Sequence, residues 1–236
     1  MMLTSDLQRP PLSRAVAWRE VGLAVVVLWS VLGGACFFLG AQSIYDRWGT
    51  SLNATLVLDV VFLIGCLAVI GFVFWRQRRQ GEGIVELGWG RPVRMPVIVI
   101  AVVYGLAWTA MSYMRGGDPL AFPWQRPIMM AIGLVLAFAE EIAVRGFILD
   151  RLARCGTSRI IQIVVTAGIM AVYHGVVGHS VWPSYMVSSF VLFGVLSVIY
   201  VYGSRSLTPV YIAHAMAHFL GDPALMQGVL YGVGAG

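Results

Sequence analysis

A small set of ionisable side chains inside apolar segments could carry chemistry in this chain. The set comprises two adjacent carboxylates, one arginine and three histidines: Glu140, Glu141, Arg145, His174, His214 and His218. Ionisable residues are costly inside a membrane, so the few that occur there are candidates for a functional site. A carboxylate gathered with imidazoles can assist the attack of water on a carbonyl, bind zinc for hydrolysis, or relay protons. Composition does not rank these three chemistries.

Spacing along the chain predicts which of these side chains share a helix face. Glu141 and Arg145 are four residues apart with the acid first, which favours an ion pair on one face. Glu140 points about 100° away from Glu141, so we expect the two carboxylates to face different grooves, with Glu140 as general base or metal ligand. The alternative is that both glutamates only tie helices together through hydrogen bonds. His214 and His218 are also four apart, so they point to the same side of the last helix.

The elements that must position these residues are predicted from hydropathy. Apolar side chains make up 59% and charged side chains 11% of the 236 residues, and the mean hydropathy is +0.82. This composition is typical of a membrane protein. Apolar runs near the roughly 20 residues that cross a bilayer occur at 21–40, 56–75, 95–114, 128–149, 160–177 and 185–202. With a seventh run that starts near Thr208, we predict an all-α, polytopic membrane helical bundle of about seven transmembrane helices.

The seventh run has the weakest pattern. Thr208 as N-cap and Pro209 as first helical residue would start a helix cleanly, but Gly221, Asp222 and Pro223 interrupt the run. We therefore expect a short or broken helix, followed by the apolar tail 224–233.

The distribution of arginine predicts the orientation. All 16 basic residues are arginine, and a cytoplasmic N-terminus places twelve of them in cytoplasmic loops and three outside. No internal repeat or composition break divides the chain. We predict a cytoplasmic N-terminal segment, 1–20, and a single membrane-embedded domain, 21–236, in contact with membrane lipid. The sequence contains no basic stripe interleaved with aromatic residues, so we predict that the chain does not bind nucleic acid.

Helical rise predicts that the candidate residues lie at similar depth. Counting 1.5 Å per residue from the cytoplasmic helix ends places Glu140 at about 15 Å, His174 at about 21 Å, His214 at about 9 Å and His218 at about 15 Å. Three different helices therefore bring these side chains to one layer. We expect them to meet in one water-containing cavity.

Three motifs in order resemble those of a known family. The first is EExxxR followed by glycine, in EEIAVRGFIL from Glu140. The second is MAVYH, in which Met170 replaces the usual phenylalanine before His174. The third is Phe193-Gly194 followed by YGSRSLTPVYIAHAMAH. The chain resembles the CAAX protease and bacteriocin-processing (CPBP) intramembrane peptidases, which include the type II CAAX prenyl endopeptidase, over about residues 85 to 220.

The resemblance implies an intramembrane endopeptidase. Glu140, with His174, would activate a water for attack on the scissile carbonyl. His214 and His218 would stabilise the oxyanion. Glu141 with Arg145 would hold the motif helix in place. The family usually has asparagine where this chain has His218, and histidine can in addition carry charge or bind metal.

The resemblance also leaves a zinc-dependent version of the same hydrolysis open. Glu140, His174, His214 and His218 could form one zinc shell, although four protein ligands would close the position that a catalytic site keeps for water. The expected substrate is a membrane-associated peptide or protein that enters from the cytoplasmic half of the bilayer. The expected location is the bacterial cell membrane.

Two other classes of function stay open. His218 favours a catalytically silent immunity protein or chaperone that keeps the family fold. A broken last helix with histidines favours a transporter or proton relay. The sequence lacks the pseudo-symmetric pair of broken helices that many transporters have, which disfavours the transporter.

Overall fold

The computed structural model describes residues 9–40, 52–114, 120, 122–177 and 182–221. These ranges are helical and contain no strand, which confirms the all-α prediction. The helices are α1 Arg14–Val27, α2 Gly34–Leu39, α3 Leu52–Arg79, α4 Met95–Met114, α5 Gln125–Glu141, α6 Leu149–Arg154, α7 Arg159–Val177, α8 Trp182–Tyr202 and α9 Leu207–Met216. Turns of π-helix follow α1 at Leu28–Leu32, join α5 to α6 at Ile142–Ile148, and follow α9 at Ala217–Gly221.

Six helical elements in the described ranges are long and apolar enough to cross a membrane. They are Arg14–Leu32, Thr55–Arg79, Met95–Met114, Gln125–Arg154, Arg159–Val177 and Tyr185–Tyr202. The described part of a seventh element, α9 with its π-helical turn, has 10 and 5 residues up to Gly221, which is less than a full span. The chain is thus an integral membrane protein with a polytopic helical bundle. The tail 224–233 lies outside the described residues.

The first helix begins earlier than its apolar run. Ser13 caps α1 by accepting a hydrogen bond from the Val16 N–H, 3.3 Å away, so the helix starts at Arg14 rather than at residue 21. The charged residues before residue 21 concealed this turn. Glu20 is buried, and its carboxylate is paired with the guanidinium of Arg76 from α3.

The last helix begins two residues before the predicted position. Its N-cap is Ser206, so Thr208 and Pro209 lie inside the first turn. The Leu207 N–H donates to the Gly88 carbonyl at 2.9 Å, which satisfies one of the donors that a helix start leaves unpaired. Gly88 has φ +101°, and a side chain there would meet the Arg205 carbonyl. The loop before α4 therefore docks onto the start of the last helix.

The element Gln125–Arg154 forms the centre of the bundle. All residues from 139 to 152 are buried. α9 packs between α4 and α5 and also contacts α8, while α7 and α8 pack along each other. The hydroxyls of Thr166 and Ser197 join α7 to α8 at 3.0 Å. Such interhelical hydrogen bonds and close backbone packing replace the hydrophobic driving force that helices lack within lipid.

Candidate active site

Two of the three helices that carry the candidate residues change from α to π at the site. α5 ends at Glu141, and the π-helical turn Ile142–Ile148 carries Arg145. The last helix changes after Met216, so His218 lies in its π-helical turn. π-helical turns are frequent at functional sites because the extra residue re-aims the side chains around it. Hydropathy gave no signal for either change.

Glu141 links three helices. Its Oε1 accepts hydrogen bonds from Arg145 Nη1 at 2.9 Å and from His214 Nδ1 at 2.7 Å. Arg145 is fully buried and also donates through Nη2 to the Phe193 carbonyl of α8 at 2.7 Å. The predicted pairing of Glu141 with Arg145 is therefore present. The pair positions the imidazole of His214.

Glu140 and Glu141 face the same imidazole, which corrects the expectation of two separate grooves. Glu140 Oε2 lies 3.6 Å from Nε2 of His214, while Glu141 holds Nδ1 on the other edge of the ring. The angular offset between successive residues applies to their Cβ atoms. Two long glutamate side chains can still converge on a ring that a second helix inserts between them. Both carboxylates are buried.

The two histidines of the last helix form a close pair. His218 Nε2 lies 2.9 Å from His214 Nε2. Because a carboxylate can only accept, the Glu141 contact places a proton on His214 Nδ1. A single proton therefore joins the two Nε2 atoms when both rings are neutral. Trp108 stacks on His214, with the ring planes 10° apart and the ring centres 5.4 Å apart, and so fixes the ring plane.

His174 and His214 both contact the ring of Phe193. The Nδ1 of His174 donates to the Met170 carbonyl at 2.9 Å, so Nε2 is the nitrogen that can accept a proton in a neutral ring. The Phe193 ring centre lies 4.6 Å from that of His174 and 5.2 Å from that of His214. Met170, noted in the sequence for replacing a phenylalanine, contributes its carbonyl to the site.

A cavity connects His174 with His218. It offers about 50 Å³, well above the roughly 10–15 Å³ that one water needs. Ser112 and Ser189 line it beside the two histidines, and Trp108, Met111, Tyr185, Leu192, Phe193 and Ala217 complete the wall. The lining is more apolar than polar, and Glu140 and His214 are not among the lining residues, so the expected single cavity is reached by only two of the four candidate residues, His174 and His218. Its volume is nevertheless sufficient to hold water.

Three of the four residues predicted as zinc ligands form a group that could hold a metal. One ligand atom from each of Glu140, His214 and His218 lies within 4.8 Å of the others, while His174 is not in the group. This donor set fits zinc, because two histidines and one glutamate leave a fourth position for water. Glu141 on His214 Nδ1 is the outer partner that ligating histidines ordinarily have. The closed four-ligand shell considered from the sequence is thus replaced by an open set of three.

The sequence missed the residues that hold the site without being charged. Trp108, the Phe193 carbonyl and the Met170 carbonyl all contact site residues. Every residue has a backbone carbonyl, so residue types do not indicate which carbonyls accept these hydrogen bonds. The stacking of Trp108 on His214 depends on how α4 is rotated about its axis, and apolar composition does not indicate that rotation.

Comparison with protein families gives a match over part of the chain. Residues 122–220 match the model described as type II CAAX prenyl endopeptidase Rce1-like. This range contains every candidate site residue and confirms the resemblance to the CPBP peptidases. The match begins at residue 122, whereas the resemblance found in the sequence begins at about residue 85, with the ELGWGRP stretch. No curated protein and no solved structure matches the chain significantly.

Proposed function

Residues 122–220 belong to the type II CAAX prenyl endopeptidase family, a family of proteases, and from this premise we propose that Glu140 activates water for peptide-bond hydrolysis inside the membrane. The carrying observation is a buried carboxylate, 3.6 Å from a fixed imidazole, at a site that reaches a water-sized cavity through His218. A general base must lie within reach of the water it deprotonates. Glu140 does not itself line the cavity, but one of its carboxylate oxygens lies within 4.8 Å of a ring nitrogen of His218, which does, and the proposed water reaches Glu140 along this path.

The neighbouring residues supply the remaining roles. His174 Nε2 accepts a hydrogen bond from the water and orients it across the cavity. Water adds to the scissile carbonyl carbon as its proton passes to Glu140. The proton shared by His214 and His218 turns to the developing oxyanion. Collapse of the tetrahedral intermediate breaks the C–N bond, and protonated Glu140 returns its proton to the leaving amine.

Glu141 and Arg145 are positioning residues in this scheme. Their ion pair keeps His214 Nδ1 protonated and fixes the direction of Nε2. The guanidinium also offsets one of two adjacent negative charges, so Glu140 can ionise beside its neighbour. Replacing Arg145 would disturb both effects.

A zinc-dependent version of this hydrolysis is the second candidate, favoured by the group Glu140, His214 and His218. Zinc bound there would act as a Lewis acid and lower the pKa of a bound water. In this version the chain's own contribution is to present three donors, with Glu141 fixing the tautomer of His214. His174 would remain a hydrogen-bonding partner across the cavity.

The proposed substrate is a membrane-associated peptide or protein that enters from the cytoplasmic half of a bacterial cell membrane. The arginine distribution supports only the orientation of the helices in this proposal. The described residues include apolar helix surfaces that suit a lipid-embedded substrate, such as Val99, Val103 and Leu106 on α4. The N-terminus is proposed to be cytoplasmic for the same reason.

The test compares purified protein in lipid nanodiscs with its Glu140→Gln variant on two fluorogenic peptides. One peptide carries a farnesylated C-terminal CAAX sequence, and the other carries the same sequence on a hydrophobic helix without a prenyl group. Glu82→Gln is the matched control, because Glu82 is a carboxylate paired with arginines outside the site. Cleavage by wild type and by Glu82→Gln, with none by Glu140→Gln, supports the proposal.

Equal cleavage by Glu140→Gln would remove the proposed base. For an unknown cellular substrate, peptidomics of membranes from cells with wild-type or Glu140→Gln protein should reveal a peptide that accumulates uncut in the variant. An unchanged phenotype with Glu140→Gln would favour the silent immunity or chaperone protein.

Elemental analysis separates the two chemical versions. Stoichiometric zinc in wild type that is lost from His218→Asn favours the metal version. Full activity in protein that contains no zinc after chelation favours the glutamate version.

A further inference from the structure

Backbone carbonyls on both sides of His218 accept hydrogen bonds from hydroxyl groups of another helix. Thr109 Oγ1 of α4 donates to the Met216 carbonyl at 3.2 Å, and Tyr113 OH donates to the Leu220 carbonyl at 3.0 Å. These carbonyls lie two residues before and two residues after His218. The backbone that carries His218 is therefore fixed from one side at both ends.

These hydroxyls add hydrogen bonds to one carbonyl directly before the π-helical turn and to one within it. A carbonyl oxygen has two lone pairs, so it can accept a side-chain donor in addition to a backbone N–H. In an apolar environment such interhelical hydrogen bonds stabilise the turn that receives them. Thr109 and Tyr113, one helical turn apart on α4, supply such donors.

Tyr113 is itself held in place. Arg126 Nη2 of α5 donates to the Tyr113 hydroxyl at 3.1 Å. Arg126 is 5% exposed and its guanidinium lies over the Phe122 ring, at 5.3 Å from the ring centre. The hydroxyl thus joins α4, α5 and the last helix in one chain of hydrogen bonds.

Close packing leaves the last helix little freedom between α4 and α5. A Cβ at Gly105 of α4 would lie 2.9 Å from the Ala213 carbonyl oxygen, and a Cβ at Gly133 of α5 would lie 3.0 Å from the His218 Cβ. The backbones are therefore almost in contact at both histidines. A small change in the hydroxyl contacts would move His218 more readily by rotation of the π-helical turn than by separation of the helices.

We propose that Thr109 and Tyr113 are positioning residues that set the direction of His218 towards His214 and the cavity. The expected effect on catalysis rests on the proposed function, in which His218 donates a hydrogen bond to the oxyanion. Neither Thr109 nor Tyr113 is among the residues that line the cavity. Their effect passes through the backbone on both sides of His218.

The test is a set of conservative substitutions. Tyr113→Phe and Thr109→Val remove one hydroxyl each, and Thr109→Ser restores the donor. Tyr104→Phe is the matched control, because the Tyr104 hydroxyl of the same helix donates to a carbonyl of α8, Leu192, at 2.9 Å rather than to the last helix. Each variant in nanodiscs is measured with the two fluorogenic peptides and by solid-state NMR of ¹⁵N-labelled histidine rings.

We expect Tyr113→Phe to lower kcat about tenfold with KM nearly unchanged, because sub-ångström misplacement of a catalytic group slows chemistry more than binding. Thr109→Val should behave alike, whereas Thr109→Ser and Tyr104→Phe should stay near wild type. In a His218→Asn background, Tyr113→Phe should add no further loss, because coupled residues are not additive. The ¹⁵N signal of His218 should shift in Tyr113→Phe but not in Tyr104→Phe.

Equal effects of Tyr113→Phe and Tyr104→Phe, or additive losses with His218→Asn, would overturn the inference while leaving the proposed function intact. Absence of Glu140-dependent cleavage in the wild type would instead remove the proposed function. In that case the histidine NMR signals still decide whether the α4 hydroxyls position His218.

Discussion

Two buried groups of charges lie at different levels of the element Gln125–Arg154, and they are built differently. The first is the candidate active site around Glu140 and Glu141. The second, here called the arginine cluster, lies at the end of α6 and consists of Arg9, Glu82, Asp150, Arg151 and Arg154. Both take charges out of water, which is unfavourable unless the charges are well paired.

In the arginine cluster, guanidinium groups donate hydrogen bonds to both oxygens of each carboxylate. Arg9 binds both oxygens of Asp150, and Glu82 receives Arg154 Nη1 on Oε1 at 2.7 Å and Arg151 Nη1 on Oε2 at 3.4 Å. Arg154 also donates to the Pro10 carbonyl. The cluster therefore ties the N-terminal segment to α6 and uses its charges for structure.

The candidate active site pairs its charges less completely. Glu141 Oε2 is buried without a hydrogen-bond partner among the described residues, and one guanidinium serves two adjacent carboxylates. Imidazoles and a cavity take the place of further arginines. Pairing of every carboxylate oxygen thus accompanies anchoring in the arginine cluster, whereas in the candidate active site two adjacent buried carboxylates share one guanidinium and contact an imidazole, an arrangement that favours a functional site.

The largest expected effect separates the two groups by activity. Glu140→Gln should lower peptide cleavage by about 10²- to 10⁴-fold, the usual contribution of a general base, with little change in thermal stability. Asp150→Asn should do the reverse, since Asp150 supports the fold. Parallel cleavage assays and thermal unfolding in nanodiscs check this contrast, and a comparable loss of activity in both variants would break it.

A second prediction concerns the single guanidinium of the site. Arg145→Met should destabilise the protein by about 3–5 kcal/mol, because it leaves Glu141 as a buried charge without its ion-pair partner. Adding Glu141→Gln should restore much of the stability but not the activity, since His214 loses its charged acceptor. Unfolding and cleavage are measured on both variants. A double variant as unstable as the single one would contradict the charge-pairing explanation.

A third prediction uses the close approach of α5 to the last helix. Gly133→Ala should lower kcat about tenfold, because the new methyl group meets His218 backbone and Cβ atoms at 3.0–3.2 Å and displaces the ring. Gly71→Ala in α3 is the control, since a Cβ there meets nothing within 4 Å. Equal kinetics of the two variants would show that His218 tolerates the displacement.

The smallest expected effect lies in the arginine cluster. Arg9→Gln should lower stability by about 1 kcal/mol, because Arg151 and Arg154 still neutralise Asp150 and Glu82. Cleavage per folded molecule should stay at the wild-type level. Limited proteolysis of the N-terminal segment should become faster, and a loss of specific activity instead would mean that the two groups of charges are coupled.

The sequence predicted the helices well and the site in part. Apolar runs located six spans to within about a turn or two, except at α1, where the buried Glu20 hid the true start. The i,i+4 spacing predicted the Glu141–Arg145 and His214–His218 contacts, because both are local to one helix. The convergence of Glu140 and Glu141 on one imidazole was missed, because a second helix supplies that ring.

By itself, the sequence determined that the chain is a helical membrane protein and which residues could carry its chemistry, since hydropathy and helical spacing are properties of single segments. Only the tertiary structure decided how those segments are rotated against each other. Inside lipid, the outer and inner faces of a helix are both apolar, so composition does not indicate which face packs inward. The π-helical turns, the stacking of Trp108 and the α4 hydroxyls beside His218 all depend on that rotation.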